Sequence, residues 1–230
     1  MCIASYVWGD PIIAASLPAL IGLGLAFMTF RENRKLQQER LVADMRLAEK
    51  RTDLERQLAL WRRKTDLAEQ ALTLALKARE VFAAARGRGI GQGEGSTRKR
   101  EPGETDDQAE TRDTYWVTIE RLNRDLDTFV QIQSLRYTFA AYFGQEAAKP
   151  LLVLTKVLQE LQIAAGVLMH MVPIVATPGN QQTARDLVRT LFASPGDPIE
   201  TKINDAVAKL ERTCGDTLRS GADWAAAAGS

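Results

Sequence analysis

The stretch that decides the fold is AAKPLLVLTKVLQELQIAAGVLMHMV, residues 147–172. The pattern starts a helix near Ala148, with Pro150 in its first turn, and ends it before Pro173. It is long and apolar enough to pose a choice between a second membrane span and the central helix of a bundle. Lys156 and Glu160 weigh against the span, since each costs about 2.5–3.5 kcal/mol at a bilayer centre. Their i,i+4 spacing allows a pair, which lessens that cost without removing it. The reading taken is the central bundle helix.

Neighbouring segments supply the rest of a bundle. A helix is expected from about Asp113 to Phe143, with Ile119, Leu122, Leu126, Phe129, Leu135, Phe139 and Tyr142 on its apolar face and Gly144 as its stop. After a turn and a short helix, Asp197 looks like an N-cap, with Pro198 at the first helical position and Glu200 placed for a capping box. The last helix carries Ile199, Ile203, Val207, Leu210 and Cys214 on one face.

Upstream, residues 31–84 contain neither proline nor glycine, so one long helix is expected there. Its first part is densely charged, with a thin apolar line through Leu41, Met45 and Ala48. Past it, Leu54, Leu58, Trp61, Ala68, Leu72, Ala75 and Phe82 follow near-heptad spacing, beside a second stripe of Leu60, Leu67, Ala71, Leu74, Ala78 and Val81. A stripe that wide belongs to a bundle helix. The stretch ARGRGIGQGEGSTRKREPGETDDQAETRD interrupts it. Its glycines alternate at 87, 89, 91, 93 and 95, which matches neither the dinucleotide fingerprint nor the phosphate loop, and it follows a helix where those motifs need a strand. It reads as a flexible, solvated linker of mixed charge.

At the N-terminus, Pro11 to Phe30 is twenty residues without a charge. As a helix that run is about 30 Å long, the thickness of a bilayer's hydrocarbon core. No charged side chain precedes it apart from Asp10, and the positive cluster Arg31, Arg34, Lys35 and Arg40 follows it. A signal peptide has the opposite polarity. The positive-inside rule then places the C-terminal side in the cytoplasm, where the same four side chains can touch anionic headgroups. Within the run, Ala15, Ala19, Gly22 and Ala26 fall on one helix face, where another helix can approach closely.

Chemistry is scarce. Thirty basic against twenty-nine acidic residues leave no general attraction for nucleic acid, and none is expected as a partner. The single histidine, His170, stands alone, and Cys2 and Cys214 cannot build a disulfide framework or a multi-cysteine metal site. No cofactor, metal or catalytic residue is expected. In LRYTFAAYFGQEAAKP, Arg136, Tyr137 and Tyr142 form a candidate partner groove, against a plainer reading as aromatic packing at a helix corner.

These residues, with LAEQALTLALKAREVFAAAR, resemble a group of uncharacterised bacterial membrane-anchored helical proteins over residues 60–172. The resemblance implies an anchored helical cytoplasmic domain and carries no functional residue over. The expected architecture is therefore all-α: an external tail (1–10), a transmembrane helix (11–30), a charged helical stem (31–53), a first bundle helix (54–85), the linker (86–113), the remaining bundle helices (114–220) of a four- to five-helix bundle, and a disordered tail (221–230). The expected role is a non-catalytic scaffold at the inner membrane, N-terminus outside, whose partners are the bilayer and either another protein or a second copy held through span and stem. A signalling or defence component that couples membrane to bundle is the alternative, and an enzyme acting on lipid or nucleotide near Arg136 a third reading.

Overall fold

The computed structural model describes the backbone of residues 11–91, 93–174, 178–194 and 196–228, and their side chains except those of 11–26, 174, 178 and 221–228. Those residues form six α-helices and one 3-10 turn, and contain no strand. They are α1 (Pro11–Ala85), α2 (Asp106–Arg124), α3 (Leu126–Phe143), α4 (Gln145–Met171), the turn Val172–Ile174, α5 (Pro178–Leu191) and α6 (Pro198–Ala228). The chain divides into two units, Met1–Ala59 and Leu60–Ser230.

In the first unit α1 carries no described core. Every described side chain from Phe27 to Gln57 is exposed, including Leu36, Leu41, Val42, Met45, Leu47 and Leu54. The second unit holds the bundle. Its centre is α4, which packs on α2, α3, α5 and α6. Leu151, Leu154, Leu158, Leu161, Ala165 and Leu168 repeat at steps of three and four, and Pro150, Val157, Ala164 and Met171 form a second buried line beside them. By length and composition α4 could cross a membrane; one side of it is packed in the core, while Ile163 and Val167 are exposed. Lys156 is exposed, and Glu160 pairs with Lys202 of α6 at 2.7 Å rather than with Lys156.

From Leu60 on, α1 joins this core through Ala68, Ala71, Ala75, Ala78, Phe82 and Ala85, a strict three–four seam drawn from both stripes of the sequence. Small side chains let a neighbouring helix come close, and Phe82 fills the gap by meeting Phe129 of α3 at 5.0 Å between rings. The larger Leu54 and Leu60 are exposed. All five residues expected on the face of α6 are buried.

Several boundaries differ from expectation. The helix expected over 113–143 starts at Asp106, where Thr105 and Gln108 make a capping box, and breaks at Asp125, whose ψ of 21° leaves the helical range. The break resets the phase, so Leu126 is exposed and Ile132 is buried, and the bundle gains a helix: six elements contribute where four or five were expected. At the next corner Gly144, φ 90°, ends α3 and admits α4 with no intervening loop, a conformation that favours glycine. Asp197 caps α6 by accepting from the Glu200 amide at 2.8 Å, yet its own amide donates to Ser194 O and not to the Glu200 side chain, so the box is half made. α6 is assigned helical to Ala228, into the tail expected to be disordered. The external tail 1–10 lies outside the described residues.

Candidate functional site

The segment expected to be a solvated linker holds the most buried charge described. Arg98 donates to Asp113 at 2.6 Å and Glu104 at 2.9 Å. Arg112 donates to Glu101 at 2.7 Å and to the same Glu104 at 3.1 Å, and its Nε reaches Met169 O, in the last turn of α4, at 3.0 Å. Glu104, 1% exposed, is thus shared by two guanidinium groups. Burial disfavours its charge, but the Glu101 amide and the two arginines prevail and hold its carboxyl below the usual range. Burial likewise opposes the charge of Arg98, while Asp113 and Glu104 raise its pKa.

Two further arginines follow the same plan. Arg121 donates from Nη1 to Ala84 O at 2.9 Å and Gly87 O at 3.0 Å, closing the end of α1, and binds Glu94. The hydrogen bond from Arg121, with that from the Gly91 amide, lowers the Glu94 carboxyl to about 2. Arg86 pairs with Asp197 at 2.9 Å, with 3% and 2% of their side chains exposed. Its Nε and Nη2 also donate to Thr190 O and Phe192 O at the end of α5. Burial works against Asp197 too, but the Glu200 amide, Arg86 and the Ser194 amide hold its carboxyl low.

Three helix ends (α1, α4 and α5) therefore each meet an arginine that is itself balanced by a carboxylate. The last carbonyls of a helix lack intrahelical donors and carry the negative end of the macrodipole, so a guanidinium there satisfies both needs. The glycines make room. Gly95, φ 86°, would place a Cβ 2.9 Å from Asp113 O, and its amide donates to Glu120 at 2.9 Å. This is joinery, with the donors committed to carbonyls and carboxylates.

The residues singled out from sequence do not assemble into one site. The backbone at Ala15, Ala19, Gly22 and Ala26 is helical, and their side chains lie outside the described residues. Arg31, Arg34, Lys35 and Arg40 are exposed on α1, with the Arg34 guanidinium 5.4 Å from the Phe30 ring centroid. Arg136 lies over the exposed Tyr137 ring at 4.6 Å. Tyr142, five residues on, points about 140° around the helix from Tyr137, so the three do not face a common groove. Phe139 and Phe143 stack at 4.3 Å, which supports the corner-packing reading of this segment. His170 is exposed at the end of α4. Burial pushes the Cys214 thiol up to about 11, which makes it a poor nucleophile at neutral pH. Among the described residues no group of three or more His, Cys, Asp or Glu side chains is placed to hold a metal.

Of the concavities that adjoin the bundle, two lie against α1. An open polar cleft of about 680 Å³ lies between α1 and α3, edged by Arg63, Asp66, Glu69 and Gln131. A smaller cavity of about 320 Å³ lies between the end of α1 and the start of α6, floored by Phe82, Arg86 and Ile203. Sequence reading missed the arginine joints because no periodicity links the partners, whether they lie 6 positions apart, as Arg98 and Glu104 do, or 111, as Arg86 and Asp197 do. The one local sign was an arginine at the end of a helix, before Gly87. No family model matches the chain, and neither a curated protein nor a solved structure is significantly similar to it.

Proposed function

We propose that the protein is a non-catalytic helical module, held at the cytoplasmic face of an inner membrane by residues 11–30, that assembles through its stem. The observation that carries this reading is the exposed apolar side of the first unit. Leu47 and Leu54 lie on the seven-residue line that continues through Ala68, Ala75 and Phe82. The latter three are buried while the two leucines are more than half exposed. A face of that kind is stabilised when a second helix covers it. In a parallel pair with Leu47 and Leu54 at d, Lys50 falls opposite Glu55 of the second copy, an attractive g–e′ contact. Confinement to one membrane raises the effective concentration of such a pair.

Cysteine crosslinking in intact membranes tests this. Leu54→Cys is expected to give a disulfide-linked dimer and Arg56→Cys, on the outer face of the same turn, is not. Equal crosslinking of both, or of neither, sinks the stem assembly. Release of the chain by carbonate extraction sinks the anchor independently. A second reading, in which the stem relays a change between membrane and bundle, is favoured by the unbroken helical assignment from Pro11 to Ala85. Inserting three residues near Asp53, which rotates the helix phase, then abolishes function, whereas a passive tether tolerates it.

A further inference from the structure

We propose that the α3–α4 side of the bundle is a docking face for an acidic amphipathic helix of another protein. Seven large apolar side chains are exposed among the described residues of Leu60–Ser230, and five of them lie on these two helices. Leu126, Val130 and Tyr137 fall within about 40° of one another on α3, as do Ile163 and Val167 on α4. Val130, Tyr137 and Ile163 are each more than half exposed. Apolar residues scattered singly over a surface need no explanation, but their concentration on adjoining helices marks an interaction site.

Register and packing put the two lines side by side. One residue, Gly144, joins α3 to α4, and the helices pack along each other, so they run antiparallel and residues equally far from Gly144 lie level. Leu126 is then level with Gln162 and next to Ile163. Both lines face away from α1. On α4 the opposite side holds Leu154 and Leu161, buried in the core that α1 enters. On α3, Gln131, Ser134 and Thr138, about a quarter-turn round, line the cleft with α1. The valley between two packed helices, with axes about 8–10 Å apart, seats a third.

Charge selects which helix. Lys149 and Lys156 are exposed and continue the α4 line, within about 40° of Ile163. The Arg136 guanidinium lies over the Tyr137 ring at 4.6 Å. The nearby carboxylates are Glu146, which pairs with Lys149 at 2.6 Å, and Asp127, about 100° round α3 from Leu126. The face is therefore net positive. A second copy applied through the same face brings the same cation excess, which doubles the charge instead of balancing it. A helix with apolar residues at i, i+3, i+4 and i+7 and carboxylates beside them covers the apolar lines and balances the cations. From Lys149 to Val167 the face runs about 27 Å, the length of about 18 helical residues.

Fluorescence anisotropy tests the face, with the full chain in phosphatidylcholine nanodiscs and empty nanodiscs as the blank. The probes are two labelled peptides of about 18 residues, with leucine along one helical face and either glutamate or lysine on the rest. The glutamate peptide is expected to bind saturably, and the lysine peptide at least about tenfold more weakly. Ile163→Glu, at an exposed position, is expected to weaken the glutamate peptide at least about tenfold without moving the urea midpoint. Lys156→Glu is expected to weaken the glutamate peptide and strengthen the lysine peptide, a reversal that loss of the fold does not produce. No saturable binding of the glutamate peptide, equal binding of the two peptides, or binding left unchanged by either variant overturns the proposal. Loss of self-association in Ile163→Glu, measured by sedimentation, also overturns it and gives the face to a second copy. The last control is an environment-sensitive label at Val130→Cys, in a chain otherwise free of cysteine. A blue shift of that label when phosphatidylserine replaces phosphatidylcholine, with no peptide present, gives the face to the membrane instead.

Discussion

The stem and the glycine-rich junction are the two most charged stretches of the chain, and they treat charge in opposite ways. Along residues 31–57 every side chain is exposed, and the ion pair described there, Arg56–Asp53 at 3.8 Å, has 76% and 61% of its side chains in solvent. Between residues 86 and 121, Arg86, Arg98, Arg112 and Arg121 turn inward onto carboxylates and helix ends, while Arg88 and Arg100 stay exposed. Both stretches look solvated as composition. What separates them is the supply of unsatisfied carbonyls: the stem is mid-helix and has none to offer, whereas the junction faces the ends of α1, α4 and α5. The comparison predicts a gradient of sensitivity, with charge substitutions costly at the junction and nearly silent in the stem.

The largest effect belongs to Arg86→Met. It leaves Asp197 buried without its cation and strips Thr190 O and Phe192 O of a donor, for a loss of about 3–5 kcal/mol in urea unfolding. Arg86→Met with Asp197→Leu is expected to recover part of that loss, because neither member is then left alone. If the single variant costs no more than a surface arginine, the pair is not a joint and the comparison breaks.

Acid is the next probe, acting on all the carboxylates of the junction at once. Glu94, Glu104 and Asp197 each have a folded pKa below the ordinary value. A lowered folded pKa means that the unfolded chain binds the proton more tightly, so stability rises with pH across the gap. These contributions are complete only above about pH 5, past the unfolded carboxylate values, and drain away as pH falls through the folded values, toward about 2 for Glu94. Thermal unfolding from pH 7 to pH 2 is expected to show a plateau and then a fall, and Glu94→Gln shallows the fall. A profile of Glu94→Gln that is as steep as the parent removes Glu94 from the account.

How far the sequence foretold this follows from which forces are local. The face of α6, the stop at Gly144 and the central role of residues 147–172 are written in spacings of three and four and in single glycine or proline positions. The break at Asp125 escaped because the flanking apolar residues continue a helical pattern across it, from Leu122 to Leu126. The buried face of α1 was half legible: two stripes were visible, but which would be covered depends on neighbours, and the smaller alanines were chosen over Leu54 and Leu60. The joints were not legible at all, since nothing local marks Glu104 as shared by two arginines. The alternating glycines hinted at flexibility when, at Gly95, the need was space.

That last point is testable within the junction and carries a smaller effect. Gly93 and Gly95 share a positive φ, 84° and 86°, but a Cβ at Gly93 meets nothing within 4 Å while one at Gly95 lands 2.9 Å from Asp113 O. Gly95→Ala is expected to cost about 1–3 kcal/mol, conformational strain plus displaced backbone. Gly93→Ala pays strain alone, about 1 kcal/mol. Equal shifts in the urea midpoint would show that the crowding against Asp113 relaxes freely.

The smallest effect is expected from the stem, and it is the one that sharpens the comparison most. Arg56→Ala removes a guanidinium that pairs across one turn with Asp53 at 3.8 Å, both side chains lying mostly in water. Such pairs are worth about 0.2–1 kcal/mol at best, and i,i+4 or i,i+3 pairs on a helix about 0.2–0.5 kcal/mol. Alanine's better helix propensity offsets part of even that. The unfolding midpoint of the bundle is therefore expected to stay within about 0.5 kcal/mol of the parent. Repeating the measurement at high salt, where a surface pair is screened, is expected to erase what difference there is. A loss as large as that of Arg86→Met would mean that the stem's charges are covered by something the isolated chain does not hold, and the place to look would be the face that carries Leu47 and Leu54.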